Sequence, residues 1–234
     1  KKALQQVNGK SKDLKGIVID VRNNPGGLLD QAVKASDAFL KTGTIVSTKG
    51  RVKAIESKFV AKDDGSEPTC PIVVLVNEGT ASASEILSGA LQDNGRAIVL
   101  GMPTFGKGSV QTVIPLEDGS ALKLTTAKYY TPKGRSIQAE GIKPDIVVEP
   151  IRPVDGPESA EAQMLREKDL KGHIRGDREG EQKPAEGKDK DKSKDKSKEP
   201  DKGKEKTDLQ KDNQLKSAVD ILKSWEVFKR IGKN

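Results

Sequence analysis

The apolar residues in the first half of the chain form two matching patterns. In each, a short run rich in β-branched residues is followed by a glycine-containing turn and then by apolar residues at helical spacing. The runs are 16–21 and 72–76, and their length and composition are typical of buried strands. We therefore predict two strand–turn–helix units, at 16–41 and 72–94.

The turns of these two units are expected to lie side by side. Strands of such units usually share one sheet with their turns at the same edge, which would bring Gly26 and Gly27 next to Ser82. Pro25 and the paired glycines force a sharp turn with exposed N–H groups, and Gly79 leads into the start of a helix. Both turns thus direct N–H groups towards whatever binds at that edge.

Short strands account for the other apolar positions before residue 150. Three are expected at 44–47, 52–56 and 59–60, and a hairpin is expected with arms 109–114 and 121–130. Together with the two strand–turn–helix units, these strands predict an α/β fold.

Composition divides the chain into a core and three further parts. After the predicted core at 1–150, a polar connecting segment occupies 151–178. Residues 179–208 are almost entirely Lys, Asp, Glu, Ser, Gly and Pro, a composition that cannot bury a core and predicts a disordered linker. Apolar residues then recur at near-helical spacing over 209–231 and predict an amphipathic C-terminal helix.

Charge and cysteine content narrow the class of protein. Charged residues make up 33% of the chain, and the net charge of +7 is spread over both halves, unlike the lopsidedly basic arm that favours nucleic acid. Cys70 is alone, so no internal disulfide is expected, and no apolar run reaches the length of a membrane span. The first residue is Lys and no signal peptide is visible, so we expect a fragment of a longer protein.

Two serines in the first turn of the second predicted helix, Ser82 and Ser84, are candidate nucleophiles. A serine hydroxyl needs a base to remove its proton, although a serine at a helix start more often serves as a cap. The single histidine, His173, lies in a polar stretch without strand or helix periodicity, which argues against a Ser-His-Asp site. Spacing alone does not choose between the two serines.

Lys107 is the candidate base. It lies between Gly106 and Gly108, just before the strand-like residues 109–114. A lysine acts as a base only when it is neutral, and burial favours the neutral form by lowering the lysine pKa. We therefore expect Lys107 to be buried in a crevice at the strand end, although a lysine between glycines is more often a solvated turn residue.

Two neighbouring segments carry a resemblance to a known family. The run NEGTASASEILSGALQDNGRA, followed by GMPTFGKGSVQ, closely resembles the carboxyl-terminal processing peptidases, the tail-specific serine proteases of the S41 type with a Ser-Lys dyad. The resemblance covers roughly residues 1–150. It implies Ser82 as nucleophile, Lys107 as general base and Gln111 as the residue that orients the lysine.

The same resemblance implies a fold and an oxyanion hole. The family fold resembles the ββα core of crotonase and Clp protease. Backbone N–H groups of Gly26 or Gly27, and of Ala83, would hold the oxyanion, and the sequence does not choose between the two glycines. No metal and no cofactor is implied.

Partners and location also follow from the resemblance. The substrates would be polypeptides, engaged near their C-termini by strand addition. A PDZ domain is expected upstream, and the expected location is the cell envelope or periplasm, or the extracytoplasmic side of the membrane. No nucleic acid is expected, and whether the chain forms a homo-oligomer is left open. The alternatives are an acyl-CoA enzyme of the crotonase type and a non-catalytic relative that binds peptides or ligands; the dyad spacing argues against the first and the intact dyad against the second.

Deleting residues 181–206 tests the interpretation of the charged linker. The segment offers too little apolar area to offset the entropy of ordering it, so the Tm of the core is expected to stay nearly unchanged. Thermal unfolding followed by circular dichroism measures this. A fall of many degrees would show that the segment is structured and that its composition has been misinterpreted.

Overall fold

The computed structural model describes residues 14–50, 56–151, 165–177 and 212–231, and shows an α/β fold built on two sheets. In chain order the elements are β1 Ile17–Asp20, α1 Leu29–Asp37, β2 Thr44–Gly50, β3 Ser57–Val60, β4 Ile72–Val76, α2 Ala83–Asp93, β5 Ile98–Gly101, β6 Ser109–Pro115, β7 Ala121–Tyr130, β8 Ile146–Val147, a 3₁₀ turn at Glu167–Asp169, and α3 Asn213–Ile231.

The first sheet is parallel, with strand order β1-β4-β5-β8. Its central strand β4 is buried along its whole length, because both faces of the sheet are covered. Val74 and its neighbours on one face pack with α1, α2 and the second sheet. Val73 and Leu75 on the other face pack with Leu100 and with Ala218 of α3.

The second sheet is antiparallel, with strand order β3-β2-β7-β6. Strand β2 packs on α2 and contributes Ile45 and Val46 to the core. Strands β6 and β7 form the predicted hairpin, closed by a hydrogen bond from the Leu116 N–H to the Ser120 carbonyl. Strand β6 is an edge strand, since β7 is its sole strand neighbour in the described part of the chain.

Helix α3 is fastened to the parallel sheet by Arg22, which follows β1. The guanidinium donates to both carboxylate oxygens of Asp212, at 3.0 and 2.6 Å, and to Gln214 Oε1 at 2.9 Å. It also donates to Asp20. The hydrogen bond from Arg22 lowers the pKa of Asp212, so this link stays ionic at neutral pH.

The segment 165–177 packs behind the loop that leads into β6. The Glu167 N–H donates to the Phe105 carbonyl at 3.1 Å. Gln138 connects the same parts, because its Oε1 accepts the Gly108 N–H at 3.0 Å while its Nε2 donates to Glu167 and to the Ile174 carbonyl. The loop around Lys107 is thereby supported from behind.

The predicted elements and the observed ones agree in type and differ at their ends. The α/β class, both strand–turn–helix units, the hairpin and the C-terminal helix are confirmed. Helix α1 ends at Asp37, earlier than the apolar pattern suggested. The strand predicted at 52–56 lies almost wholly outside the described residues, and the next described strand, β3, begins at Ser57. The predicted linker at 179–208 lies entirely outside the described residues.

Candidate active site

The turns after β1 and β4 meet at the carboxyl edge of the parallel sheet, as the sequence predicted. The two strands are adjacent and in parallel register. Asn23 and Asn77 join the turns, because the Asn23 N–H donates to Asn77 Oδ1 at 2.8 Å and Asn77 Nδ2 donates to Asn23 Oδ1 at 2.8 Å. The Ala81 N–H donates to the Asn24 carbonyl at 3.0 Å, and Thr80 Oγ1 donates to the Val21 carbonyl at 2.8 Å.

Ser82 occupies a strained position at the junction of the second turn and α2. Its φ of 54° and ψ of −117° are rare for a residue with a side chain, and such strain persists only where the surroundings enforce it. At this helix start, the Ser82 N–H donates to Glu85 Oε2 at 2.7 Å, which is the Glu85 half of a capping box. Ser84 is buried at 6% exposure, whereas Ser82 is partly exposed, so Ser82 is the serine whose hydroxyl an external substrate can reach.

The predicted oxyanion-hole residues lie against this junction. A Cβ on Gly26 would stand 2.6 Å from the Ala81 carbonyl oxygen and 2.7 Å from the Ala83 nitrogen, so only a glycine fits there. The Gly26 N–H already donates to Asn24 Oδ1 at 2.9 Å. The N–H groups of Gly27 and Ala83 have no hydrogen-bond acceptor among the described residues, which favours Gly27 over Gly26 as a donor to a bound oxyanion.

Lys107 is brought to the same edge, but the prediction that it is buried is wrong. Its backbone is held close to that of Ser82, because both N–H groups donate to one oxygen, Glu85 Oε2, at 2.9 and 2.7 Å. The side chain, however, is exposed. The physical reason is that Lys107 lies two residues before the edge strand β6, which has no second strand neighbour among the described residues to enclose the lysine side chain.

Gln111 lies on β6, just after a β-bulge between Val110 and Gln111, and is also exposed. Within the described residues, the side chains of Lys107 and Gln111 make no hydrogen bond to each other or to the Ser82 hydroxyl. The structure therefore brings the backbones of Ser82 and Lys107 together and leaves the side chains of Lys107 and Gln111 exposed.

Glu85 belongs to this site and was missed by the sequence analysis. It is fully buried, and its carboxylate accepts hydrogen bonds from the Ser82, Gly106 and Lys107 N–H groups and from the Thr104 hydroxyl. Its position three residues after Ser82 has the spacing of a capping box, which was the available signal.

Burial raises the pKa of Glu85 to about 7, and the hydrogen bonds from Thr104, Gly106, Ser82 and Lys107 oppose that rise. An unfolded glutamate titrates near 4.5. Between that value and 7 the folded protein retains a proton that the unfolded chain has lost, so this group makes the protein less stable as the pH rises. At pH values well above 7 the Glu85 side chain is ionised, and both of its oxygens are then free to accept hydrogen bonds.

The described residues offer neither a metal-binding group nor a membrane-spanning helix. Among the described residues, no group of three or more His, Cys, Asp and Glu is placed to hold a metal ion. The helices in that part of the chain are all too short or too polar to cross a membrane.

Comparison with known proteins identifies the family. A model of the peptidase family S41 matches residues 1–148. The chain belongs to peptidase family S41. This S41 chain is 54% identical over 168 residues to a carboxy-terminal-processing protease of Bartonella bacilliformis, a match that covers 72% of this chain and 38% of the relative. It is 48% identical over 147 residues to a carboxyl-terminal-processing protease of Synechocystis sp., covering 63% of this chain and 34% of the relative.

Two solved structures share the fold of this chain. A photosystem II D1 C-terminal processing protease is 40% identical with a TM-score of 0.58, over 63% of this chain and 38% of that one. Mature CPAF, at 17% identity and a TM-score of 0.51, shares the fold. The chain therefore spans little more than a third of the length of these curated relatives.

Substitution of the paired glycines tests the close approach at Ser82. Gly26→Ala is expected to lower the free energy of unfolding by about 1–3 kcal/mol, because its Cβ would overlap the backbone of residues 81–83. Gly27→Ala, whose Cβ meets nothing within 4 Å, is the matched control and should change it by no more than about 0.5 kcal/mol. Urea unfolding compares the two, and equal losses would contradict the described packing.

Proposed function

We propose that this chain carries the catalytic core of a serine endopeptidase that cleaves polypeptides near their C-termini through a Ser-Lys dyad. The observation that carries the proposal is the strained, accessible Ser82 beside two N–H groups, those of Gly27 and Ala83, that lack acceptors in the described residues. Membership of family S41 and the names of the relatives support the same reaction.

In the proposed reaction, neutral Lys107 removes the proton of the Ser82 hydroxyl as Oγ attacks a substrate carbonyl carbon. The carbonyl oxygen becomes an oxyanion and accepts hydrogen bonds from the Gly27 and Ala83 N–H groups. The peptide C–N bond then breaks, and the leaving amine takes the proton from Lys107. Water, activated by Lys107, hydrolyses the resulting ester and frees Ser82, while Gln111 orients the lysine.

The exposure of Lys107 suggests how substrate contributes to this chemistry. The Lys107 side chain is in contact with water wherever no substrate covers it. An extended polypeptide added along the edge near β6 would cover the Lys107 side chain and exclude water from it. Substrate binding would thus prepare the base, which links recognition of an extended chain to catalysis.

The remaining expectations of the family resemblance enter this proposal unchanged. They are polypeptide substrates, an upstream PDZ domain and a location in the cell envelope or periplasm. No step of the proposed reaction requires a metal or a cofactor, because the nucleophile, the base and the oxyanion donors are all supplied by the chain.

Replacing Ser82 and Ser84 one at a time tests which of the two serines is the nucleophile. Ser82→Ala is expected to abolish cleavage and keep substrate binding, because the hydroxyl performs chemistry while the edge supplies affinity. Ser84→Ala should lose far less, because Ser84 is buried within α2. Cleavage of an unfolded protein and labelling by a fluorophosphonate probe measure both. An active Ser82→Ala variant beside an inactive Ser84→Ala variant would move the nucleophile to Ser84.

Lys107→Arg tests the base. A guanidinium stays protonated at any pH at which the protein folds, so this variant is expected to be nearly inactive although it keeps the positive charge. Lys123→Arg, on an exposed position of β7, is the matched control and should retain activity. Steady-state cleavage rates decide the matter, and near-normal turnover by Lys107→Arg would remove the dyad from the mechanism.

A further inference from the structure

The carboxylate of Glu85 contacts the backbone of both residues of the proposed dyad. Its Oε2 accepts the Ser82 N–H at 2.7 Å and the Lys107 N–H at 2.9 Å. Its Oε1 accepts the Thr104 hydroxyl at 2.5 Å and the Gly106 N–H at 2.8 Å. One side chain thus connects the start of α2 to the loop before β6, which lies about two dozen residues further along the chain.

Both connected segments need such a support. Ser82 has a φ of 54°, a conformation that its own preferences disfavour. Lys107 lies between two glycines, which leave the local backbone little rigidity of its own. The relative position of these two backbones therefore depends on contacts from elsewhere, and Glu85 supplies one to each.

A helix cap alone does not account for this arrangement. Capping requires a bond to the first turn of α2, which the contact with the Ser82 N–H already provides. The other three donors come from residues 104–107, outside the helix. Glu85 is fully buried and has no ion-pair partner among the described residues, a costly state for a residue that serves only as a cap.

We propose that Glu85 is a positioning residue of the active site, whose carboxylate holds the backbones of Ser82 and Lys107 at the separation that proton transfer between their side chains requires. This inference rests on the proposed function, since it concerns the same dyad. Glu85 touches no substrate, so it acts on turnover through the geometry of the dyad and leaves the substrate edge unchanged.

Two substitutions separate the reach of the side chain from its charge. Glu85→Gln keeps the length, but its NH2 group must face N–H donors on one side. Glu85→Asp keeps the charge but is one methylene too short to reach both segments. Glu67→Gln is the matched control, because Glu67 is also buried, accepts the Asp64 N–H at 3.0 Å, and precedes the opposite, amino end of β4.

The variants are made in the protein expressed from its complete gene and assayed for cleavage of an unfolded protein, with Ser82→Ala as the inactive reference. Glu85→Gln and Glu85→Asp are both expected to lose kcat on the order of 100-fold, the scale of a small misplacement of reacting groups. The KM should change by no more than about threefold, because the substrate edge is intact. Glu67→Gln should keep its kcat.

The outcomes distinguish this inference from the proposed function. If wild type is inactive, or Ser82→Ala cleaves as wild type does, the proposed function is wrong. If wild type is active, Ser82→Ala is inactive and either Glu85 variant keeps wild-type kcat, the function stands and the positioning role is overturned. A loss that appears in KM and spares kcat overturns it as well.

Amide hydrogen exchange keeps the inference testable if neither Glu85 variant folds. In wild type, the Ser82 and Lys107 amides are expected to be protected from exchange to a similar degree, because one carboxylate accepts both. If the Lys107 amide of the wild-type protein exchanged as fast as an amide in an open loop, the proposed link through Glu85 would be overturned without the need for a variant.

Discussion

The structure depends on the burial of β4 from both sides. Each of its five side chains is almost completely removed from water, a gain of roughly 1.5–3 kcal/mol for a fully buried aliphatic residue. Because β1 and β5 pair with β4 in parallel, this burial also determines where the turns after β1 and β4 emerge. Shifting β4 by one residue would exchange the side chains of its two faces and misplace Ser82.

Polar side chains at the carboxyl edge of the parallel sheet hold the segments of the candidate site together. The Asn23–Asn77 pair joins two turns, and the fully buried Glu85 joins the start of α2 to the loop before β6. Hydrogen bonds of this kind are directional, and a buried carboxylate that lost them would carry an uncompensated desolvation cost. These side chains therefore have essentially one favourable arrangement, which explains how Ser82 persists at a positive φ.

The two halves of the proposed dyad differ in how completely they are formed. Ser82 and its neighbouring N–H groups are preorganised by packed backbone, whereas the Lys107 side chain is exposed on the loop before the edge strand β6. Rigid oxyanion donors reduce the reorganisation that a reaction would require. A base that loses its water only when the edge is covered would confine its reactivity to the bound state.

The local pattern was enough to predict the two strand–turn–helix units, the hairpin and the meeting of the glycine turn with Ser82. Those features follow from β-branched runs, helical spacing and turn residues, which act over a few positions. The family motif added the roles of Ser82, Lys107 and Gln111, which remain predictions.

Other features were decided only by contacts between distant segments. The exposure of Ser82 relative to Ser84 depends on how α2 packs. The preference for Gly27 over Gly26 in the proposed oxyanion hole rests on the Asn24 side chain, which accepts the Gly26 N–H. The hydrogen bonds of Glu85 come from donors 19 to 22 residues further along the chain, and the proposed positioning role of Glu85 rests on them. The exposure of Lys107 depends on the edge position of β6. Burial and hydrogen bonding are properties of the assembled tertiary structure. The local sequence therefore determined the secondary structure of these segments, but not which of their groups would be buried or hydrogen-bonded to one another.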